Sequence, residues 1–202
     1  DLRLSLYRSR RKGGGLRFKL YRLHDDIPLS DALPMMENMG LRVLSEHPYR
    51  VEAGGEVAYI QDFEVESLLP GGFDLDAVDE DFEDAFARAW RGEAENDGFN
   101  RLILAAGLTW RQVAMLRGYC KYLLQVGVPF SQAYMEATLA RYPLLARLLV
   151  ELFEARFDPA TGSETKAQIR KGQERFEAQL RMLAGDDTAA LAALDALVAS
   201  RS

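Results

Sequence analysis

Residues 95–125 read ENDGFNRLILAAGLTWRQVAMLRGYCKYLLQ, the most apolar sustained stretch of the 202-residue chain. Asp97 is placed to cap a helix over Gly98 to Ala106, and Gly107 to end it. Thr109 to Gln112 (TWRQ) is a capping box, the hydroxyl and the amide three residues on each satisfying the other's backbone N–H. The helix it opens is apolar nearly all round, through Trp110, Val113, Met115, Leu116, Tyr119, Tyr122, Leu123 and Leu124. Such a helix is expected in the middle of a bundle. If it is central, truncating Trp110 to Ala should cost ~3–5 kcal/mol. Arg117, Lys121 and Gln125, four apart, form its one polar ridge. That ridge is either partly buried and ion-paired, with Glu93, Glu95 and Asp97 the acids in reach, or it faces another domain; a buried charge needs a partner, which favours internal pairing. Asp97, Arg101, Arg117 and Lys121 are thus expected to form a structural polar network.

Helical signals continue outward from that stretch to the C-terminus. Val128-Pro129 breaks the chain, Ser131 caps a helix to Tyr142, and Pro143 begins another to about Phe157. A turn-rich loop spans Asp158 to Ser163. Beyond it Ile169, Phe176, Leu180 and Leu183 form a heptad-like stripe. Asp187 opens a last helix with Leu191, Leu194, Leu197 and Val198 on one face. These last two helices are expected to form an antiparallel hairpin.

Upstream the periodicity changes. Leu2, Leu4 and Leu6 alternate with polar residues, and Leu16, Phe18 and Leu20 repeat the pattern after Gly13-Gly14-Gly15, a hairpin signature. Arg8, Arg10, Arg11 and Lys12 sit on its turn as a solvated tip. Pro28 to Gly40 reads as a short helix with Ser30 as cap, Leu33, Met36 and Met39 as apolar stripe, and Pro34 early within it. Leu41–Val51 and Val57–Val65 read as a second hairpin about Gly54-Gly55. In its second strand Tyr59 and Phe63 share one face, with Ile60 and Asp62 on the other. Asp76 to Arg91 supplies a second helix. This order is most of a βαββαβ unit without its last strand. Residues 2–8 are expected to fill that slot, antiparallel to the first strand, and so protect an open edge. The fold class is therefore α+β: a small antiparallel ACT/ferredoxin-like sheet with helices (residues 1–91), followed by an all-α helical bundle (92–202).

Composition bounds the function. Hydrophobic residues make up 48% and charged residues 28%, with a net charge of −6, as in an ordinary globular protein. The acidic balance argues against nucleic-acid or membrane-surface binding, which needs a concentrated basic face. The apolar run Leu144 to Phe153 is broken by Arg147 and Glu151 and is too short to span a bilayer. Cys120, the single cysteine, fits a reducing cytoplasm and a packing role. His24 and His47 lack ligand partners at metal-site spacing. The acids at 74–84 suit a helix N-terminus; as a calcium loop they would put Asp79 where glycine is needed and Ala85 where a bidentate acid is needed. No G-x-G-x-x-G and no nucleophile motif occurs. Catalytic, cofactor-binding and metal residues are therefore all expected to be absent. The start at Asp1, without a methionine, reads as an excised piece of a longer polypeptide.

The wording of residues 95–125, followed by FSQAYMEATLARYP and LFEARFDP, resembles the very large bacterial NAD-specific glutamate dehydrogenases. So do LRFKLYR, PLSDALPMMENMGLRVLSEHPYRV and YIQDFEV upstream. The resemblance runs from about Leu16 to Pro159. It implies a regulatory and assembly region N-terminal to the catalytic domain. It further implies NAD as cofactor of the parent enzyme only, the catalytic domain of the same polypeptide as partner, a homo-oligomer and a cytoplasmic location. ACT-like domains bind amino acids at the loop after their first strand, at a pattern like Asp-x-Pro-Gly. Here the loop reads Asp26-Ile27-Pro28-Leu29, making Asp26, Pro28 and Ser30 the implied ligand residues. Leu29 stands where glycine lets a ligand approach the backbone, so a packing or subunit-contact role is the expectation. Amino-acid sensing and pure assembly are the alternatives.

Overall fold

A computed structural model describes residues 2–10, 14–157 and 165–185. Its contacts form two compact units, residues 1–143 and 144–202. The expected final helix about Leu191 to Val198, the loop at 158–163, and Arg11, Lys12 and Gly13 lie outside the described residues.

The first unit begins with a four-stranded antiparallel sheet of order β1-β2-β4-β3. The strands are β1 (Leu2–Arg8), β2 (Leu16–Leu23), β3 (Leu41–Ala53) and β4 (Glu56–Ser67). As the sequence predicts, β1 occupies the slot of the missing last strand. Leu4 pairs with Leu20 and Leu6 with Phe18 along β2. Period-two alternation puts Leu16, Phe18 and Leu20 on the same side as Gln61, Phe63 and Val65 of β4, and all six are buried. Two helices supply the rest of this core: α1 (Leu29–Asn38) and α2 (Asp79–Trp90). Phe18 meets Phe82 and Phe86 of α2 edge-to-face, with ring centres 5.2 and 5.0 Å apart, the geometry favoured by the ring quadrupole.

Strand β1 presents its outer edge to α2. The Leu6 N–H, which has no strand beside it, donates to Glu83 Oε1 at 2.8 Å. A helix carboxylate thereby replaces a ladder bond. Burial pushes the Glu83 carboxyl above its ordinary range, the Leu6 N–H opposes this, and Asp79 and Glu80 push it up further.

One cap differs from expectation. Ser30 lies inside α1, its hydroxyl 3.3 Å from Asp31 Oδ1, while Pro28 occupies the cap position and accepts at its carbonyl from the Asp31 and Ala32 amides. Proline is suited to that place because its fixed φ suits the entry and its missing N–H would have no helical partner. Pro34 therefore falls in the second turn of α1. Gly40, with φ +89°, ends the segment in the left-handed region.

The helical half opens with a 3-10 turn at Gly98–Asn100 and continues as α3 (Arg101–Ala106), α4 (Trp110–Gln125) and α5 (Gln132–Arg141). The caps follow the sequence. Asp97 accepts from the Phe99 amide, Thr109 and Gln112 form the reciprocal box, Ser131 accepts from the Tyr134 amide, and Gly107 takes φ +60°. The central placement of α4 is not what the structure shows. Its buried residues are Val113, Leu116, Arg117 and Cys120, whereas Tyr122 is 59% and Val126 56% exposed. The helix turns its arginine inward, and the apolar residues across from it go outward. Trp110 is half-buried, with the guanidinium groups of Arg88 and Arg111 at 4.4 and 4.8 Å from its ring.

The second unit contains nearly all of α6 (Pro143–Phe157) and all of α7 (Thr165–Ala184). Arg175 Nη1 lies 2.6 Å from Glu151 Oε2, and Gly172 sits so near Leu152 that a Cβ there would meet its side chain at 2.9 Å. No helix among the described residues is long and apolar enough to cross a membrane.

Candidate functional site

Arg117 is the centre of the densest polar cluster and is only 5% exposed. Its Nε and Nη2 donate to the two carboxylate oxygens of Asp97 at 2.7 and 2.8 Å, a bidentate pair. Nη2 also reaches Asn100 Oδ1 at 2.8 Å and the Glu95 carbonyl at 3.4 Å. The Phe99 ring lies 5.9 Å from the guanidinium. Asn100 Nδ2 donates to the Glu95 carbonyl at 2.9 Å. Lys121 pairs with Glu95 in the open, and Glu95 Oε2 is 3.3 Å from Arg117 Nε. Asp97 therefore does two jobs, capping the 3-10 turn and anchoring α4.

The structure brings Asp97, Arg117 and Lys121 together, but Arg101 lies elsewhere. Its Nη2 reaches the Glu37 carbonyl at the end of α1 at 3.4 Å, and its Nε is buried with no acceptor. The third acid in sequence reach, Glu93, pairs with Arg88 and Arg91 instead. Two members of the cluster escape sequence reasoning. Gln132 donates to Asp97 Oδ2 at 3.2 Å and to Glu136 Oε1 at 2.8 Å. An i,i+4 pair of this kind on a helix face reads as solvated, and nothing in its spacing announces a contact 35 residues away. Cys120 is buried at the edge of this cluster. Burial first, then Glu136 and Asp97, push its thiol up, while Lys121 pulls it down, which disfavours the nucleophilic thiolate.

The loop of Asp26, Pro28 and Ser30 is exposed. Asp26 Oδ1 accepts from the Ile27 amide at 2.8 Å, and the Asp26 carbonyl accepts from Arg22 at 3.0 Å. Just before it His24 has φ +69°, and the Asp25 amide donates back to the Leu23 carbonyl at 2.9 Å, a tight γ-turn. Beneath the loop, buried Gln61 donates from Nε2 to the Ile27 carbonyl at 2.7 Å, leaving its Oε1 buried without a donor. Among the described residues no three His, Cys, Asp or Glu side chains converge as a metal site.

An ACT-type sheet whose last strand is supplied from its own N-terminal side, running directly into capped helices, defines an ACT-plus-helical module. Residues 1–78 match the third ACT domain of glutamate dehydrogenase, and residues 94–159 match its helical motif 3. The boundary drawn at residue 91 falls between these two stretches and inside the first compact unit. The chain is 50% identical over 160 residues to the NAD-specific glutamate dehydrogenase of Halomonas elongata, 43% over 143 to that of Pseudomonas aeruginosa, and 38% over 167 to that of Mycobacterium tuberculosis. These alignments take in 79%, 70% and 79% of the chain but only 10%, 9% and 10% of the relatives. The chain belongs to the family of large bacterial NAD-specific glutamate dehydrogenases, of which it spans about a tenth of the length.

Proposed function

We propose that this chain is a non-catalytic regulatory and structural segment of a cytoplasmic, oligomeric NAD-dependent glutamate dehydrogenase. The intact enzyme would convert L-glutamate, NAD and water to 2-oxoglutarate, ammonia and NADH. The observation that carries the reading is the self-satisfaction of the densest polar cluster. Arg117 directs its donors at Asp97, Asn100 and Glu95, as a group that holds helices together does. The division at residue 91 then separates a sheet domain from a helical docking domain. The exposed side of α4 (Tyr119, Tyr122, Leu123, Val126), together with the stacked pair Phe130 and Tyr134, is the surface offered to the catalytic part of the same polypeptide. The relatives' much greater length supports that occupant. Purified chain incubated with glutamate and NAD should form no NADH; turnover would end this reading. In the full-length enzyme, Tyr122→Ser with Leu123→Ser should lower activity and loosen assembly while leaving the isolated chain folded.

A second reading is an amino-acid sensor at Asp26, Pro28 and Ser30. The γ-turn at His24 and the unpaired Gln61 Oε1 below the loop favour it. Calorimetry against the common amino acids, with Asp26→Ala as control, separates the two: heat that disappears in the control supports sensing.

A further inference from the structure

The segment Leu68 to Gly72, which follows β4, meets α3 and α5 at a cavity of about 490 Å³. That volume is in the range of small-molecule sites. Arg101 and Ala105, one turn apart on α3, line one wall, and Ala137, Ala140 and Arg141 of α5 line another. The alanines hold open a space that larger apolar side chains would fill. Two guanidinium groups border the cavity and no carboxylate does.

Arg101 is the unusual member. Among the described residues the other arginines that are not exposed are Arg17, Arg22, Arg88 and Arg117, and each has a carboxylate oxygen within 3.0 Å. Arg101 has none. Its single hydrogen bond, to the Glu37 carbonyl, is long at 3.4 Å, and its Nε is buried without an acceptor. The end of α1 offers that guanidinium a favourable dipole but leaves the Nε–H unmet, and a buried donor without a partner is costly. Arg141 lies 5.6 Å from the ring centre of its neighbour Tyr142, and among the described residues no carboxylate pairs with it. A planar guanidinium suits carboxylate and phosphate oxygens. Apolar walls from Leu68, Leu69 and Pro143 suit a short carbon body.

We propose that this cavity binds a small oxyanion, a carboxylate or phosphate group on a short body, with Arg101 and Arg141 as its cationic contacts. The site is separate from the Asp26 loop and from the Arg117 cluster, and it stands whether or not the chain is regulatory. Titration calorimetry of the 202-residue chain with succinate, and separately with inorganic phosphate, tests it at low and high salt. Binding that weakens with salt is expected for one probe or both. Succinate alone assigns a carboxylate, phosphate alone assigns a phosphate, and both assign a general oxyanion site. Ala137→Leu fills the cavity with both charges kept, and Arg141→Gln removes one charge at the surface. Arg141→Gln should weaken binding at least ~10-fold, the value of one charge-assisted hydrogen bond, and Ala137→Leu should weaken it by occupying the space, each with an unchanged far-ultraviolet dichroism spectrum. Failure of both succinate and phosphate to bind, or binding that survives both variants, overturns the proposal.

Discussion

Replacing Arg117 with Met keeps an unbranched apolar stem and removes the guanidinium with its charge and donors. Two charge-assisted bonds to Asp97 go, each worth about 1.5–3 kcal/mol when taken alone. Breaking one side of a buried pair typically costs about 3–5 kcal/mol because the other charge is stranded. Here Asp97 is 17% exposed and keeps the Phe99 amide and the Gln132 amide as donors, so water and neighbours recover part of the loss. The expected cost is about 3 kcal/mol. Lys121→Ala should cost less than about 0.5 kcal/mol, because its pairing with Glu95 is solvent-exposed. Adding Asp97→Asn to Arg117→Met should show coupling of about 2 kcal/mol. Urea unfolding followed by tryptophan fluorescence is the assay, since both tryptophans, Trp90 and Trp110, lie in the first compact unit. A cost below about 1 kcal/mol for Arg117→Met, or an equal cost for Lys121→Ala, would refute the anchoring role.

Trp110→Ala should cost about 2 kcal/mol in the same assay, below the range for a fully buried aromatic residue, because the ring is half-buried between two guanidinium groups. Gly40→Ala should cost about 1–2 kcal/mol, since φ is +89° and the new Cβ would lie 3.1 Å from Arg101 Cγ; thermal melts check it. Glu83 has a carboxyl raised by folding, so its contribution is fully present below the unfolded-state pKa and is lost as pH rises through the folded one. Glu83→Gln, which still offers an acceptor to Leu6, should therefore be at least as stable as the parent chain at pH 7 and lose that advantage towards pH 4. Urea midpoints at the two pH values decide the sign.

The parts of the fold that could be read from the sequence are those written locally. Glycine with φ above zero at 40 and 107, the TWRQ box and the serine at 131 fix helix ends within a few residues, and alternation at 16–20 fixes a strand face. The placement of β1 was also legible, because a βαββα order leaves one slot vacant. What failed was the orientation of α4. The pairing of Arg117 with Asp97 is legible from the sequence, but local pattern counts apolar residues around a helix and does not show that this pairing makes the arginine side the buried one and leaves Tyr122 and Val126 outside. Arg101 is expected in the same cluster from its proximity in sequence, but its position on α3 directs it to the end of α1, a contact 64 residues away. The role of Glu83 was illegible because it looks like any acid in a helix's first turns, and only the sheet order places Leu6 beneath it.

Filling the last slot of the sheet from the N-terminal side releases the chain after α2 from returning to the sheet. It passes instead through residues 91–97 to the Asp97 cap and α4. Arg88 on α2 touches Trp110 at the start of α4, and Glu83 on α2 holds Leu6. One helix, α2, thus joins the start of α4 to an edge strand of the sheet through two side-chain contacts, a link that a sheet closed by a strand after α2 would not need.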